Sequence, residues 1–586
     1  MSLIPWREWN PEAFDAARRQ NKPVLLDIGA VWCHWCHVMD EGIPGDRVHT
    51  GTYNDPTIAN LINDRYVAIK VDNDRRPDIN ARYNMGGWPS TVFLTPEGEI
   101  IYGETYVPPG RMLSLLKYIA DSYRDNRSEI ARRVGERAIS SEQAAAATVS
   151  ALALPAQAPD RVAAEVVDNF DYAYGGFGHQ LKFPHIGPLR FALSRAARGD
   201  EEMAEIVKTT LTHMAGGGTY DRFAGGFFRY STTRDWSIPH YEKMLEDNAL
   251  LSDLCMRAGY LLDDGELIQV GMSVHRWLLS TMQDLETGCF YGSQDADKEE
   301  YYYGKSLIER AALPTPYIDR TIYAGWNFLM VSSLVTRYRL MVDPNILSAA
   351  SRAYKFVVQN VLPHHFWAEG KCQGTENLLS DLVGAVRAAL DLGDVTGEEV
   401  YLDDAIRFAD TMVSELSDPR GGFFDIKPEP GAIGALAKPN REIVENSEAA
   451  IVLLRLGART GDRKHQVTAE RALAGFADSY RPLSFYAAPF AQAVAASLEP
   501  SVRVVLTGSP SDEAFIKLRE AIWLAPSETL TWGVAQVSPN TDYPPDPNGE
   551  PQAYVCVGTN CSAPVRTVAE LNSLLRPPLP ASDSEA

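Results

Sequence analysis

Residues 24–36 read VLLDIGAVWCHWC, and this stretch decides the fold of the N-terminal part of the chain. Its first five residues are mostly apolar and form a short run, which predicts a buried β-strand at 24–28. Residues 33–43 have the pattern of a helix that begins at the cysteines. Cys33 and Cys36 are therefore expected where a strand ends and a helix starts.

A cysteine at the N-terminus of a helix is chemically activated. The unpaired N–H groups and the positive end of the helix dipole favour the thiolate and lower the pKa of the thiol. A thiolate attacks disulfides, and a second thiol three residues on resolves the mixed disulfide. We therefore predict that Cys33 attacks and Cys36 resolves, with His34 and His37 stabilising the thiolate when they are protonated.

Two other interpretations of the Cys33–Cys36 pair stay open. Two ligands at this spacing make half of a zinc site, but no second Cys-x-x-Cys motif supplies the other half, and we predict neither a metal site nor a cofactor. The pair could instead belong to a fold that is used only for binding. The other close pair, Cys556 and Cys561, is expected to consist of buried or incidental thiols.

Length, charge and cysteine content limit the class of protein. The chain has 586 residues, whereas one hydrophobic core serves about 250–300, so two or three domains are expected. The net charge of −22 disfavours nucleic-acid partners. The chain has no apolar run long enough for a membrane span and does not start like a secretory signal. Seven cysteines are few and odd in number, which favours a reducing, cytoplasmic location.

The order of predicted helices and strands divides the chain into five parts. Residues 1–125 alternate strands and helices as an α/β domain, and residues 126–158 are a helical linker. Residues 159–500 are almost purely helical. Residues 501–576 return to a small α/β module, and residues 577–586 form a tail rich in proline, serine and acidic residues that is expected to be disordered.

Glycine-aromatic segments separate the helices of residues 159–500. They recur at Gly175-Gly176-Phe177, Gly225-Gly226-Phe227, Gly288-Cys289-Phe290 and Gly421-Gly422-Phe423. The intervals are mostly about 50–80 residues, or one helical hairpin each, and the length allows six hairpins. Six hairpins that close into a ring make an (α/α)6 toroid whose short loops meet at one mouth, with an open solenoid as the alternative.

The stretch from Val24 to Cys36 resembles the segment of thioredoxins that leads from a strand into the active site. The resemblance includes Asp27, six positions before the first cysteine, and Trp32 directly before it. Pro89, in the sequence GGWP, matches the cis-proline that faces the cysteine pair in that fold. The resemblance implies a thioredoxin-like domain in which Asp27, Trp32 and Pro89 support the redox pair.

Several strings along the chain together resemble one family, the thioredoxin domain-containing proteins related to spermatogenesis-associated protein 20. They are CHWCHVM at 33–39, GGTYD at 217–221, PHYEKML at 239–245 and QDAD at 294–297. The resemblance implies a thioredoxin-like domain followed by a six-hairpin toroid like those of sugar hydrolases and N-acylglucosamine 2-epimerases. The chain departs from the family in the short interval between Asp297 and Trp326, which indicates a trimmed loop at the mouth.

A second candidate site consists of titratable residues expected at the mouth of the toroid. Three of them, His240, Lys243 and Asp247, have the spacing of one helix face and could supply a general acid and base. Two carboxylates from different loops could also hydrolyse a glycoside. The alternative is a network of buried salt bridges between hairpins. The full set is Asp221, His240, Glu242, Lys243, Asp247, Asp295, Asp297 and Asp381.

Three functions follow from these patterns. The first is a thiol–disulfide redox protein whose toroid recognises a protein thiol or disulfide client. The second is a carbohydrate-active enzyme, an epimerase or a hydrolase, acting on a small carbohydrate at the mouth. The third is a non-enzymatic binding protein. The redox function ranks first because its residues are complete in the sequence, and no nucleic-acid or membrane partner is expected.

Overall fold

The computed structural model describes residues 2–43, 45–146, 153–296, 301–429, 431–438, 440–525, 527, 529–534, 542–558 and 560–575, without the side chains of 131 and 133–146. The predicted tail at 577–586 and the candidate residue Asp297 lie outside the described residues. Within these ranges, none of the helices combines the length and the apolar character that crossing a bilayer requires.

The N-terminal part forms a four-stranded sheet with helices on both faces. Its strands, in the sheet order β2-β1-β3-β4, are β1 (Val24–Gly29), β2 (Val67–Asp72), β3 (Ser90–Leu94) and β4 (Ile100–Glu104). Strand β1 is parallel to β2 and antiparallel to β3, and β3 is antiparallel to β4. The helices are α1 (Pro11–Gln20), α2 (His34–Glu41), α3 (Pro56–Arg65), α4 (Pro77–Tyr83) and α5 (Pro109–Ala146). The predicted thioredoxin-like fold is confirmed.

Strand β1 is apolar because both of its faces are covered. Leu26 packs with Phe14 on one face, while Leu25 packs with Ile62 and Leu116 on the other. Successive side chains of a strand point to opposite faces, so a strand covered on both sides buries every residue. This burial explains the run that marked β1 in the sequence.

Helix α5 extends into the predicted helical linker. It continues to Ala146 with one break in helical geometry at Asn126. The first part of the predicted linker, 126–146, is therefore a continuation of this helix.

Twelve long helices of the described residues 153–498 form two concentric layers. The inner helices are α7 (Ile186–Ala196), α9 (Leu245–Leu261), α12 (Ala324–Met341), α14 (Leu379–Thr396), α16 (Ile443–Thr460) and α18 (Ala488–Leu498). The outer helices are α6 (Ala158–Asp168), α8 (Glu201–Gly216), α10 (Gly265–Trp277), α13 (Pro344–Phe356), α15 (Glu399–Leu416) and α17 (Arg463–Ala474). Each inner helix contacts the next, and α18 contacts α7. The ring is closed, which confirms the (α/α)6 toroid over the open solenoid.

Short elements lie where the inner helices begin, at the mouth of the ring. They are β5 (Tyr230–Ser231), β6 (Pro239–His240), β7 (Lys243–Met244), β8 (Ser293–Gln294), α11 (Leu307–Arg310), β9 (Ile318–Asp319), β10 (Ile322–Tyr323), β11 (His364–Ala368) and β12 (Lys371–Glu376). Strand β7 runs directly into α9, and β10 runs directly into α12.

Buried asparagines explain the recurring glycine-aromatic segments. The Phe227 N–H donates to Asn248 Oδ1 at 2.6 Å, and Asn248 Nδ2 donates back to the Phe227 carbonyl at 3.0 Å. Asn327 and Asn446, on α12 and α16, hold Phe290 and Phe423 in the same way. Each inner helix of this set therefore fixes the loop that enters it.

The C-terminal module repeats the sheet of the N-terminal domain. Its strands, in the order β14-β13-β15-β16, are β13 (Val502–Thr507), β14 (Leu530–Val534), β15 (Gln552–Val557) and β16 (Asn560–Cys561), with helices α19 (Glu513–Trp523) and α20 (Val568–Leu575). Strand β13 is parallel to β14 and antiparallel to β15, and β15 is antiparallel to β16. The module contacts the C-terminal ends of inner helices, where Trp532 Nε1 donates to the Asp394 carbonyl at 3.0 Å. It therefore lies at the end of the ring opposite the mouth.

The expectation that Cys556 and Cys561 are incidental thiols is wrong. The two cysteines form a disulfide and face each other directly across β15 and β16. The two cysteines are five positions apart in the sequence, and this spacing gave no sign of their pairing.

Candidate redox site at the mouth of the ring

The N-terminal domain covers the mouth of the toroid. The Arg82 guanidinium makes two hydrogen bonds to Asp425, of 2.6 and 3.0 Å. His365 Nε2 lies 2.9 Å from the Asp74 carbonyl oxygen. Asp425 and His365 belong to the segments that lead into inner helices α16 and α14, so the domain sits where these helices begin.

Cys33 and Cys36 are joined in a disulfide that faces the toroid. Cys33 is the N-cap of α2, and its sulfur accepts a hydrogen bond from the Cys36 N–H at 3.2 Å. Cys33 is 4% exposed and Cys36 is 6% exposed. Both pack in one apolar cluster with Met244, and Trp326 packs against that cluster. The toroid therefore supplies one wall of the candidate redox site.

The residues matched to thioredoxins surround the pair on the other side. The Trp88–Pro89 peptide bond is cis, and Pro89 is buried. Trp32 Nε1 donates to Asp74 Oδ2 at 2.6 Å, which fixes the indole ring. Asp27 is buried on β1, where Tyr53 donates to it and Lys70 Nζ lies 3.4 Å away. Burial raises the pKa of Asp27, and the Lys70 charge opposes part of that shift.

Arg229 of the toroid covers the two tryptophans, and the sequence analysis missed it. Its guanidinium carbon lies 4.1 Å from the ring centroid of Trp32 and 5.0 Å from that of Trp88. A cation over an indole face is attracted by the ring's electron density. Arg229 lies two residues after the segment Gly225-Gly226-Phe227, and the local sequence pattern does not mark it as a residue that contacts the N-terminal domain.

Helix α2, called the redox helix after the predicted role of its cysteines, carries two histidines that lie close to residues of the toroid. His37 Nε2 lies 3.3 Å from Asp295 Oδ2. The hydrogen bond to Asp295 raises the pKa of His37 although burial opposes it. The rings of His34 and His240 are 6.4 Å apart. Four of the predicted residues, His34, His37, His240 and Asp295, are thus brought into one site with the two cysteines.

The predicted helix face of His240, Lys243 and Asp247 is wrong. His240 lies on β6 and Lys243 on β7, and only Asp247 lies on α9. Strand β6 pairs with β5 and β7 pairs with β8, so residues three and four apart in this segment do not share a helical face. His240 and Asp247 remain at the mouth, while Lys243 points into the protein.

Asp221 and Lys243 form a buried ion cluster instead of an acid–base pair. Lys243 Nζ lies 2.7 Å from Asp221 Oδ2, and Arg310 binds both oxygens of Asp221 at 2.6 and 3.0 Å. Asp171, in the loop that precedes helix α7, forms an equivalent cluster with Lys182 and Arg234. The alternative of buried salt bridges fits these two candidates.

Asp381 also has a structural position. It is fully buried, accepts a hydrogen bond from the Gly325 N–H at 2.9 Å, and lies 2.8 Å from His365 Nδ1. Burial lowers the pKa of His365, but the Asp381 charge and the hydrogen bonds to Asp381 and to the Asp74 carbonyl together outweigh burial, so the net shift is upward. Asp381 thus orients the histidine that reaches the N-terminal domain.

Three carboxylates at the opening of the ring have strongly raised pKa values. The surrounding protein atoms and the Asp247 charge raise the pKa of Glu246 to about 7, although its side chain is exposed to the opening. Partial burial raises the pKa of Asp247 to about 6, and partial burial and neighbouring carboxylates raise that of Glu445 to about 8. None of the three is fully buried, so solvent enters the ring at this level. Glu246 and Glu445 escaped the sequence analysis because acidic residues are common in the first turn of any helix.

The described residues contain no group of three or more His, Cys, Asp or Glu side chains arranged to hold a metal ion.

Comparisons with known proteins give one match to the N-terminal domain and other matches to most of the chain. Residues 2–140 match the family model Thioredox_DsbH, described as a protein of unknown function, DUF255. Spermatogenesis-associated protein 20 from Homo sapiens is 24% identical over 98% of this chain and 90% of its own length. The predicted family resemblance is confirmed. The protein of the same name from Mus musculus is 25% identical over 86% of this chain and 80% of its own length.

Solved structures similar to this chain include sugar-acting proteins. A sugar epimerase from a ruminal bacterium has a TM-score of 0.45 and 11% identity, covering 55% of this chain and 85% of that chain. Cellobiose 2-epimerase from Spirochaeta thermophila has a TM-score of 0.44 and 15% identity, covering 54% and 82%.

Proposed function

We propose that the protein is a thiol–disulfide redox enzyme whose Cys33–Cys36 pair reacts with a small molecule admitted by the ring. The observation that carries this proposal is the position of the disulfide, which lies against Met244 and Trp326 of the toroid. A redox pair on the outer surface would serve protein clients, whereas this pair faces the mouth of a ring.

The surroundings of Pro89 favour a small substrate over a protein client. A peptide client would pair with the backbone beside this cis-proline. In this protein Arg229 lies over Trp32 and Trp88, directly beside that position. A folded protein would have to displace the toroid to reach Cys33. A small disulfide needs only the solvent-filled opening where Glu246 is exposed.

The proposed step is thiol–disulfide exchange. The Cys33 thiolate attacks one sulfur of the substrate disulfide, and the other half leaves as a thiolate that takes up a proton. The Cys36 thiolate then attacks Cys33 in the mixed disulfide and releases the second half as a thiol. The substrate gains two electrons and becomes two thiols, while Cys33–Cys36 becomes a disulfide that an external thiol reductant must reduce again.

The test measures the potential of the pair and its choice of substrate in the full chain. The Cys33–Cys36 pair is equilibrated in glutathione buffers, and its state is read by thiol trapping and mass, with Cys556→Ser/Cys561→Ser as background. We expect a reversible disulfide in the range of about −120 to −270 mV found for oxidoreductases. We also expect 2-hydroxyethyl disulfide to be reduced faster than insulin, with Cys33→Ser inactive on both.

A variant in which the wall over the cysteines is partly removed can be compared directly with the wild type. Trp326→Ala should raise the rate on insulin relative to that on 2-hydroxyethyl disulfide, because it removes part of the wall over the cysteines. Equal rates on both substrates in the wild type would favour a protein client. A pair that forms no disulfide in any buffer would reject the redox function.

The raised pKa values of Glu246 and Glu445, about 7 and about 8, support a carbohydrate-active enzyme as the second candidate. Carboxyl groups with pKa values near neutrality suit proton donation and abstraction. A screen of small carbohydrates by thermal shift, followed by deuterium incorporation from heavy water, tests this candidate. Activity lost in Glu445→Gln and kept in Cys33→Ser would support it.

A further inference from the structure

We propose that the small disulfide or thiol that reacts with Cys33–Cys36 carries an ammonium group, bound by the carboxylates of Glu242, Glu246 and Asp247. The identification of the reacting substrate rests on the proposed redox function. The cation-binding site does not, because it depends on side chains of the toroid alone.

Glu242 is buried, and its Oε2 accepts no hydrogen bond from the described residues. Glu242 is 2% exposed. Its Oε1 lies 3.7 Å from His240 Nδ1, whereas Oε2 is buried and has no hydrogen-bond partner among the described residues. Leaving a buried polar atom unpaired costs on the order of 1–3 kcal/mol, and more for a charged group. A ligand with N–H donors would remove that cost.

Glu242 is tied to the redox site through its neighbours. Its carbonyl accepts a hydrogen bond from the Arg229 N–H at 2.9 Å, and Arg229 covers Trp32. Two residues on, Met244 packs with Cys33 and Cys36. The Glu242 charge also acts on Asp295, the partner of His37. A group bound by Glu242 would therefore lie beside the disulfide.

Two other buried carboxylates, those of Asp221 and Asp381, have protein partners on both oxygens, as expected for a structural role. Asp221 is buried with both oxygens bonded to Arg310 and with Lys243 as a third donor. Asp381 has Gly325 on one oxygen and His365 on the other. Glu242 differs because one of its oxygens has no hydrogen-bond donor among the residues that the structure describes. The contrast favours an external partner.

The charge around the opening selects a cation. Glu246 and Asp247 repel each other, and both face Arg229. Arg229 and His365 are the positive groups that act on Glu246, Arg229 is the one that acts on Asp247, and the Arg229 guanidinium lies over Trp32. A neutral or anionic ligand would leave the excess negative charge uncompensated. An ammonium would reduce it and could also rest on the face of Trp326, which is partly exposed beside the disulfide.

The pKa values of the same carboxylates agree with this choice. Glu246, at about 7, is largely protonated below neutrality when no cation is bound. The charged groups that face Glu246 are Asp247, Glu445, His365 and Arg229. Asp247 faces Arg229. A bound ammonium favours the ionised carboxylates, so its binding should release protons near pH 7.

The experiment compares three small disulfides of different charge with the reduced full-length protein. They are cystamine, which carries two ammonium groups, neutral 2-hydroxyethyl disulfide, and 3,3′-dithiodipropionate, which carries two carboxylates. Each kcat/KM is divided by the rate constant of the same disulfide with dithiothreitol, which removes differences in intrinsic reactivity. We expect cystamine to exceed the neutral disulfide by roughly tenfold, equivalent to about 1.4 kcal/mol, and the dianion to be slowest.

Variants assign the preference to the carboxylate. Glu242→Gln should bring the ratio of cystamine to the neutral disulfide close to one, whereas Glu201→Gln, in the first turn of outer helix α8, should leave the ratio unchanged. Thermal unfolding midpoints check that both variants fold. Equal normalised rates for the three disulfides in the wild type would overturn the proposal. A preference that survives Glu242→Gln would overturn its assignment to this residue.

A binding measurement separates this proposal from the redox function. Calorimetry of the oxidised protein with 1,6-diaminohexane, which has the length of cystamine but no sulfur, should show binding with proton release that 1,6-hexanediol does not show. Binding of the diamine without turnover of any disulfide would support the cation site and reject the redox function. Turnover of disulfides without binding of the diamine would do the opposite.

Discussion

His37 of the redox helix and Asp295 of the toroid meet across the domain interface, with 3.3 Å between Nε2 and Oδ2. His37 follows Cys36 directly, while Asp295 follows β8 at the mouth of the ring. The pair links the protonation of the redox helix to a residue of the toroid. We therefore expect the toroid to affect the reactivity of the cysteines through this pair.

The first prediction follows from this pair. In Asp295→Asn the hydrogen bond that raises the pKa of His37 is weakened, so the pKa of His37 should fall. His37 is then less protonated at neutral pH, and the Cys33 thiolate loses favourable charge. NMR titration of His37 and the pH dependence of thiolate absorbance in the reduced protein measure the two effects.

Asp46→Asn is the control for that experiment, because Asp46 pairs with a different histidine, His49, at 2.9 Å. It should leave the His37 titration in place. A pKa of His37 that is the same in wild type and Asp295→Asn would show that the interface does not tune the redox helix.

The second prediction concerns the Asp221 cluster. Asp221→Asn leaves Lys243 and Arg310 buried without their shared counter-ion. Removing one partner of a buried pair costs about 3–5 kcal/mol, so the variant should unfold at distinctly lower denaturant concentration. Asp235→Asn, at an exposed aspartate, is the matched control. An Asp221→Asn protein of normal stability that has lost activity would instead place Asp221 in the chemistry.

The sequence predicts the parts of the fold that depend on local pattern. The apolar run of β1 and the cysteines at the start of α2 are properties of neighbouring residues, so they could be recognised directly. The ring was recognisable because the glycine-aromatic loops repeat. The structure adds the reason, since Asn248, Asn327 and Asn446 each hold one of these loops.

The assembled site could not be predicted because it depends on distant pairs. His365 and Asp74 are 291 positions apart, and no periodicity connects them. The spacing of His240, Lys243 and Asp247 was misleading, since residues three and four apart also occur in consecutive short strands. Glu242 lay among the candidates, but its unpartnered oxygen is a property of the packed structure alone.

The third prediction separates the two disulfides. Cys556–Cys561 lies in the C-terminal module, at the end of the ring opposite the mouth. Replacing both cysteines by serine should leave the potential of Cys33–Cys36 unchanged. Removing a disulfide that closes a loop of this size lowers the free energy of unfolding by about 2 kcal/mol in the chain-entropy account, so the module should become less stable. A shifted potential would indicate communication through the ring.

The fourth prediction concerns the pH dependence of the interface through His365. Its pKa is raised in the folded protein, where it lies between Asp381 and the Asp74 carbonyl. A group whose pKa is raised by folding contributes stability that is complete below its unfolded value of about 6.5 and is lost as pH rises through the folded value. The wild type should therefore exceed His365→Gln in stability most at pH 6 and least at alkaline pH. Urea midpoints of both proteins across this range measure the difference, with hydrogen exchange around Asp74 as a local readout. A constant difference would mean that His365 acts through packing alone, and a difference that grows with pH would reverse the assigned sign of the shift.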